Sequence, residues 1–319
     1  MAAPCESMRL GQNGPMSIWV CGEVLIDLIP VAPGSSEREP HVGGGPANTA
    51  KARARLGLGS YFIDGISTDE YGVAARKELL DDEVKLDLAL KSDKPTCLAT
   101  VTLDANGGAS YEFLIDGTAT FDFSLEWLPD PSRYKPNVLH IGTLVTVIEP
   151  GADVLYDWAI RVAEFAPIVY DPNIRPSVMG DRDKYQASVE KWTAISSVIK
   201  VSDDDMAWLY PGVEYAEVAK RWVSDGAALV VVTRGSQGLI GFTADGVVEV
   251  PGVKIEVADT VGAGDTVGAI IVEAMIEKGI LNLTGEELKS TLHRAAVAAG
   301  ITCSRKGAQP PYKHELKGV

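Results

Sequence analysis

Apolar positions along this chain follow two alternating rhythms. Short runs dense in Val, Ile and Leu, such as VLHIGTL from Val138, APIVYDPN from Ala166, SSVIKVS from Ser196 and ALVVVTRG from Ala228, predict buried strands. Between them, apolar residues recur at helical spacing. PANTAKARARLG, YGVAARKELLDD, ADVLYDWAIRVAEF and DRDKYQASVEKW predict helices, as do further segments up to Asp225 and stretches 264–278 and 285–303. Pro46 falls near the first turn of the first helix and Gly57 at its end. Strand–helix alternation over most of the chain implies a mainly parallel sheet with helices on both faces.

Three segments break that rhythm. Residues 17–29, SIWVCGEVLIDLI, read as one strand, but Glu23 and Asp27 are unusual interruptions for a buried parallel strand. TCLATVTLD and ASYEFLID, joined by ANGG, read as a β-hairpin, and GLIGFTADGVVEV reads as another. The front segments predict a small β appendage contributed by about 28–43 and 95–120. No linker divides the chain, so a single domain over 16–319 is expected, with the polar residues 1–15 as a flexible tail.

Composition narrows the class. The chain has 319 residues, 46% of them apolar, enough for a sizeable core. A formal net charge of −15 repels nucleic acid and anionic lipid, so neither is an expected partner. An anionic ligand then needs a local set of N–H groups, a cation or a bridging metal. Cys5, Cys21, Cys97 and Cys303 form no C-x-x-C pair and read as reduced thiols. No apolar run is long enough to span a bilayer, and a cytoplasmic protein is expected.

The stretch DTVGAGDTVG, 259–268, carries the chemistry. A glycine-rich turn opening a helix presents free N–H groups and the positive end of the helix dipole, which favours anions. Three readings compete. Gly262, Gly264 and Gly268 form a weak dinucleotide fingerprint, but it sits late in the chain and Asp265 would repel a pyrophosphate. A tight strand-to-helix connection with an early-turn acid is the structural reading. Phosphoryl transfer uses every feature: Gly262, Ala263 and Gly264 supply an anion hole, and Asp265 takes the proton of an acceptor hydroxyl. No Gly-Lys dipeptide of a P-loop occurs.

Together with this stretch, VGGGPANTAKARARLG followed by GISTDEYG near the start, and ITCSRKGAQPP near the end, make the chain resemble the ribokinase-like, or phosphofructokinase B, carbohydrate kinases over 18–311. The resemblance implies a three-layer α/β/α fold with a small β-sheet lid, a homodimer, and the cofactors ATP, Mg2+ and K+. It implies that Asp265 is the base. It assigns Asp259 to a monovalent-cation site shared with carbonyls of 304–309; a turn acid bonded to its own backbone is the alternative. Asp27 is read at the end of a buried strand, where an unpaired carboxylate is costly, as a clamp on sugar hydroxyls, or as a plain strand-end residue. Gly43, Gly44 and Gly45 allow close backbone approach or a tight turn. Asn48 matches a sugar-binding amide, or is an ordinary helix-start residue. Tyr111 and Phe113 share a strand face and cover the sugar or make a core or dimer contact. SDDDMAWL departs from the family's N-x-x-E: Ser202 replaces Asn, and Asp205 replaces the Glu that acts on Mg2+ through water, with Asp204 as a substitute. A helix N-cap cluster is the structural alternative there. Thr233, Gly235 and Gly238 resemble a nucleotide-phosphate turn.

YDPNIRP, with Asp171, Asn173 and Arg175, resembles the D-x-N-x-R of fructokinases and 2-keto-3-deoxygluconate kinases. Arg175 is read as pairing a substrate carboxylate, contacting ATP, or holding its loop. Gly45, where phosphosugar kinases often carry Lys, argues for a neutral sugar. Fructose phosphorylated at a primary hydroxyl, to fructose 6-phosphate, is the first expectation. A ketodeoxygluconate kinase, a ribokinase or nucleoside kinase, and a non-catalytic sugar-binding regulator are the alternatives.

Overall fold

The computed structural model describes residues 16–32, 34–103 and 109–319, without the side chains of 103 and 109–111. Residues 1–15, expected as a flexible tail, lie outside the described residues. In chain order the first third contains β1 (Ile18–Cys21), β2 (Leu25–Pro30), β3 (Arg38–Gly43), α1 (Gly45–Arg55), β4 (Ser60–Ile63), β5 (Gly65–Ser67), α2 (Glu70–Asp81), β6 (Leu90–Ser92), β7 (Leu98–Leu103) and β8 (Ala109–Leu114). The middle contains α3 (Pro131–Tyr134), β9 (Val138–Gly142), α4 (Gly151–Ala163), β10 (Ile168–Asp171), α5 (Arg182–Thr193), β11 (Val198–Ser202), α6 (Asp203–Leu209), α7 (Tyr215–Ser224) and β12 (Leu229–Thr233). It closes with β13 (Leu239–Thr243), β14 (Gly246–Val250), α8 (Ala263–Lys278) and α9 (Gly285–Cys303).

The main sheet has the order β14-β13-β12-β11-β10-β9-β1-β4. It is parallel from β4 to β12, and only the β12–β13–β14 edge is antiparallel. Helices cover both faces. Trp158, Tyr185, Trp192, Met206 and Trp222 of α4 to α7 pack on one, and Leu56, Ile270, Leu288 and Leu292 of α1, α8 and α9 pack on the other. The expected three-layer arrangement is therefore observed. The smaller sheet is also present, ordered β3-β2-β7-β8, with β2–β3 and β7–β8 antiparallel and β2–β7 parallel.

Residues 17–29 are not one strand. The chain leaves the main sheet at Cys21 and re-forms as β2 in the small sheet. Gly22, at φ 149°, makes the break, because a Cβ there would collide with the Pro46 ring. Glu23 lies in the connection and Asp27 lies inside β2, half-buried rather than at the end of a buried strand. The apolar run YFIDGIS, 61–67, divides similarly into β4 and β5, with β5 leaving to pair β6. Cys21 and Cys97 are buried and free, and Cys303 is half-buried and free. No helix among the described residues is long and apolar enough to cross a membrane.

Candidate active site

The opening turn of α8 builds the centre. Gly262, the residue before the helix, is left-handed at φ 79° and ψ 0°, a conformation that glycine adopts without strain. Ala263 N–H donates to Thr260 O at 3.3 Å. The N–H groups of Gly262, Gly264 and Asp265 have no acceptor among the described residues, so these donors, rather than that of Ala263, are open to an anion.

Asp265 is only 7% exposed. Its Oδ2 accepts from Asn48 Nδ2 at 3.1 Å, tying α8 to the first turn of α1. Burial pushes its carboxyl up to about 7, against the lowering effect of the Lys200 ammonium. A Cβ added to Gly45 would lie 3.2 Å from Asp265 Oδ1, 2.9 Å from Asn173 Nδ2 and 3.2 Å from Thr143 Cγ2. Four chain segments thus converge at Gly45.

The expected sugar end adjoins this point. A Cβ on Gly43 would collide with Asp27 Oδ2, and one on Gly44 with Glu23 O. Asp27 and Asp265 therefore flank the two ends of Gly43–Gly44–Gly45, a span of at most roughly 7 Å. Burial raises Asp27 to about 6, and Arg175 and His41 pull it back. Arg175 is exposed, and its Nη1 donates to Asn173 O, Asn173 Oδ1 and Ile174 O at 3.1, 2.8 and 2.9 Å. Of the three roles read for Arg175, this geometry is the loop-holding one, while its charge reaches Glu23, Asp27 and Asp265. Phe113 packs with Leu25, Cys97 and Ala99 in the small sheet. The side chain of Tyr111 lies outside the described residues.

On the expected nucleotide side, Ser202 and Asp205 form a reciprocal cap at the start of α6. Asp205 Oδ1 also accepts from Ile174 N at 3.1 Å. Its two oxygens are thus engaged by backbone, as the structural alternative required, and exposed Asp204 is the carboxylate turned outward. Thr233 ends β12 and Gly235 has open space beside it. Gly238 is buried, and a Cβ there would strike the backbone around Val250, so it serves packing. Arg234 beside them is paired to Glu249 at 2.6 Å. Asp259 Oδ1 accepts from Val261 N at 3.1 Å and Oδ2 from Gly307 N at 2.9 Å. It is both the turn acid and the tie to the 304–309 loop.

Sequence reasoning missed Lys200, Glu23 and Thr143 as members of the site. Thr143 and Asn173 are non-glycine residues at φ 62° and 39°, immediately beyond the adjacent strands β9 and β10. Such conformations persist where surrounding structure enforces them. The Thr143 hydroxyl donates to the Glu23 carboxylate. Burial raises Glu23 to about 7, partly offset by that hydrogen bond. The signals were visible as charges inside apolar runs, Glu23 in WVCGEVLI and Lys200 in VIKVS.

The description of the pfkB family of carbohydrate kinases matches residues 16–315. A fructokinase of Rhizobium leguminosarum bv. trifolii is 35% identical over 260 residues, covering 81% of this chain and 79% of that one. An ATP-bound fructokinase from Xylella fastidiosa superposes with a TM-score of 0.86 at 24% identity, over 94% of this chain and 96% of that one. A fructokinase double mutant from Vibrio cholerae O395, bound to fructose, ADP and potassium, gives 0.83 at 23% identity, over 95% and 97%.

Proposed function

The chain belongs to the pfkB family of carbohydrate kinases, phosphotransferases with a hydroxyl acceptor, and from that premise we propose that it transfers the γ-phosphate of ATP to the 6-hydroxyl of fructose. The observation that carries the reading is the placement of buried Asp265 beside open N–H groups at one end of Gly43–Gly45, with Asp27 at the other.

The sugar lies along the three glycines, with Asp27 accepting from its hydroxyls and Asn48 orienting both sugar and base. Asp265 takes the proton of the acceptor hydroxyl. The oxygen of that sugar hydroxyl forms the new bond to the γ-phosphorus while the bond to the bridging oxygen of ADP breaks, releasing ADP. N–H groups at the start of α8 face the charge on the transferring group. Among the described residues no cluster of three His, Cys, Asp or Glu forms a metal cage. That suits a magnesium ion held mainly by nucleotide phosphates, which needs at most one or two carboxylates; Asp204 is the free one on α6. Potassium beside Asp259 would fix the loops that aim those N–H groups, a reading supported by the potassium in the Vibrio cholerae fructokinase.

An ADP-release assay over fructose, ribose, ketodeoxygluconate and adenosine, run in potassium and in sodium buffers, tests this. Fructose in potassium is expected to be fastest, with the others roughly tenfold or more slower. Asp265→Asn is expected to bind fructose but lose about 10²–10⁴-fold in kcat. Full turnover in that variant removes the base assignment, and a faster rival sugar replaces fructose.

A further inference from the structure

Lys200 is a buried cation against the start of α8 that fold stability does not explain. It shares a face of β11 with Val198, which packs in the apolar cluster of α8 and α9. Lys200 is 5% exposed, and its Nζ lies 2.7 Å from Asp171 Oδ2 at the end of β10. A Cβ on Gly264 would sit 2.9 Å from that Nζ, so the ammonium lies against the first turn of α8. A helix dipole disfavours a cation there, and replacing a buried ion pair by apolar residues is often neutral or stabilising. The Asp171 partner is itself incompletely satisfied, since its Oδ1 has no hydrogen-bond partner among the described residues. What the arrangement does provide is a fixed positive charge beside Asp265.

We propose that Lys200 is a positioning residue for the phosphoryl transfer: its ammonium, pinned by Asp171 beneath Gly264, sets the charge that Asp265 faces and keeps that carboxylate ionised to receive the sugar's proton. This rests on the reading of Asp265 as the base. The surroundings of Asp265 contain other charges to weigh. Asn48 bonds it from α1, Asp171 faces it from β10, and Arg175 from the loop beyond. Glu23 faces it from the β1–β2 connection. Asp205 of α6 and His140 of β9 act on or feel Lys200. Acids outnumber cations around this point, so losing one cation is not absorbed by its neighbours. Burial pulls the ammonium toward neutrality, but the carboxylates of Asp171 and Asp265 outweigh it and hold Lys200 charged.

The experiment titrates the full-length protein labelled with ¹³C in its Asp carboxyls, with the Asp265 signal assigned by its loss in Asp265→Asn. The acid limb of kcat/KM is followed in parallel. Lys200→Met is expected to move both the signal and the limb upward by about one pH unit, a roughly tenfold loss below the limb that recovers above pH 9. Asp171→Asn removes an acid that itself raises Asp265 and is expected to move both downward, which checks that the signal responds to its charged neighbours. A purely structural role would lower activity without moving either midpoint, and a direct role on ATP would raise the nucleotide KM alone. A folded Lys200→Met titrating at the wild-type pH overturns the proposal; if that variant does not fold, Lys200→Gln, which removes the charge but keeps a donor to Asp171, decides by the same upward shift. Full turnover in Asp265→Asn would instead remove the base reading, while the carboxyl titration still reports on Lys200.

Discussion

At the scale of single residues, the site concentrates carboxylates whose burial opposes their charge. Asp265 titrates near 7 when folded, against an ordinary value of 3.8. Because the folded value is raised, the native state keeps a proton that the unfolded chain releases, so this group costs stability as pH rises through about 4 to 7 and costs most above 7. Asp265→Asn removes that cost. The variant is expected to gain more stability at pH 8 than at pH 5, by on the order of 2–3 kcal/mol, read from thermal melts at both pH values. An equal gain at the two would contradict the burial account. Asp265 stood out in the sequence because a glycine-rich turn opening a helix sets it beside free N–H groups, and Asn48 through the resemblance; their hydrogen bond is what the structure adds. Thr143 did not: its left-handed backbone follows from the surrounding fold, and no residue type announces it.

Among elements, periodicity identified the strands but not the sheet each joins. Residues 17–29 alternate as one strand would, yet the chain changes sheets at Gly22–Val24. The cause is a contact distant in sequence, Pro46 of α1 pressed against Gly22. Gly44 plays the matching part between β3 and α1. It has φ 106°, and a side chain there would collide with the backbone of Glu23. Gly44→Ala is expected to destabilise the protein by about 1–3 kcal/mol and to raise the KM for the sugar, measured by denaturant melts and steady-state kinetics. A variant with wild-type stability would mean that the Gly44–Glu23 contact yields freely. The helices were easier to read: α9 spans Gly285–Cys303, as its spacing predicted, because a long amphipathic pattern has one geometric solution.

Over the whole molecule, raised and lowered acids divide the pH axis between them. Burial raises Glu23 and Asp265 to about 7 and Asp27 to about 6, so these stabilise least at high pH. Against burial, hydrogen bonds from Thr96 and Gly72 hold Asp69 low, and those from Arg221 and Tyr210 hold Glu190 low. Their contribution is present above the unfolded values and is lost as pH falls below them. The net charge of −15 at pH 7 adds self-repulsion on the alkaline side. The melting temperature is therefore expected to peak near pH 5 and to decline toward pH 8; a steady rise over that interval would show that paired acids dominate instead.

The chain enters the small sheet from the main one at Gly22–Val24 and leaves it for α1 at Gly44, and these two links touch. They form a double pivot, like two pins of one hinge. A tilt of the small sheet that bends these two links is felt within a residue of the carboxylate that Thr143 holds and within a residue of Gly45. On the proposed reading of the site, covering the sugar and aligning the reacting groups are coupled through these links, and a ligand that props the small sheet open would misalign the chemistry without touching Asp265.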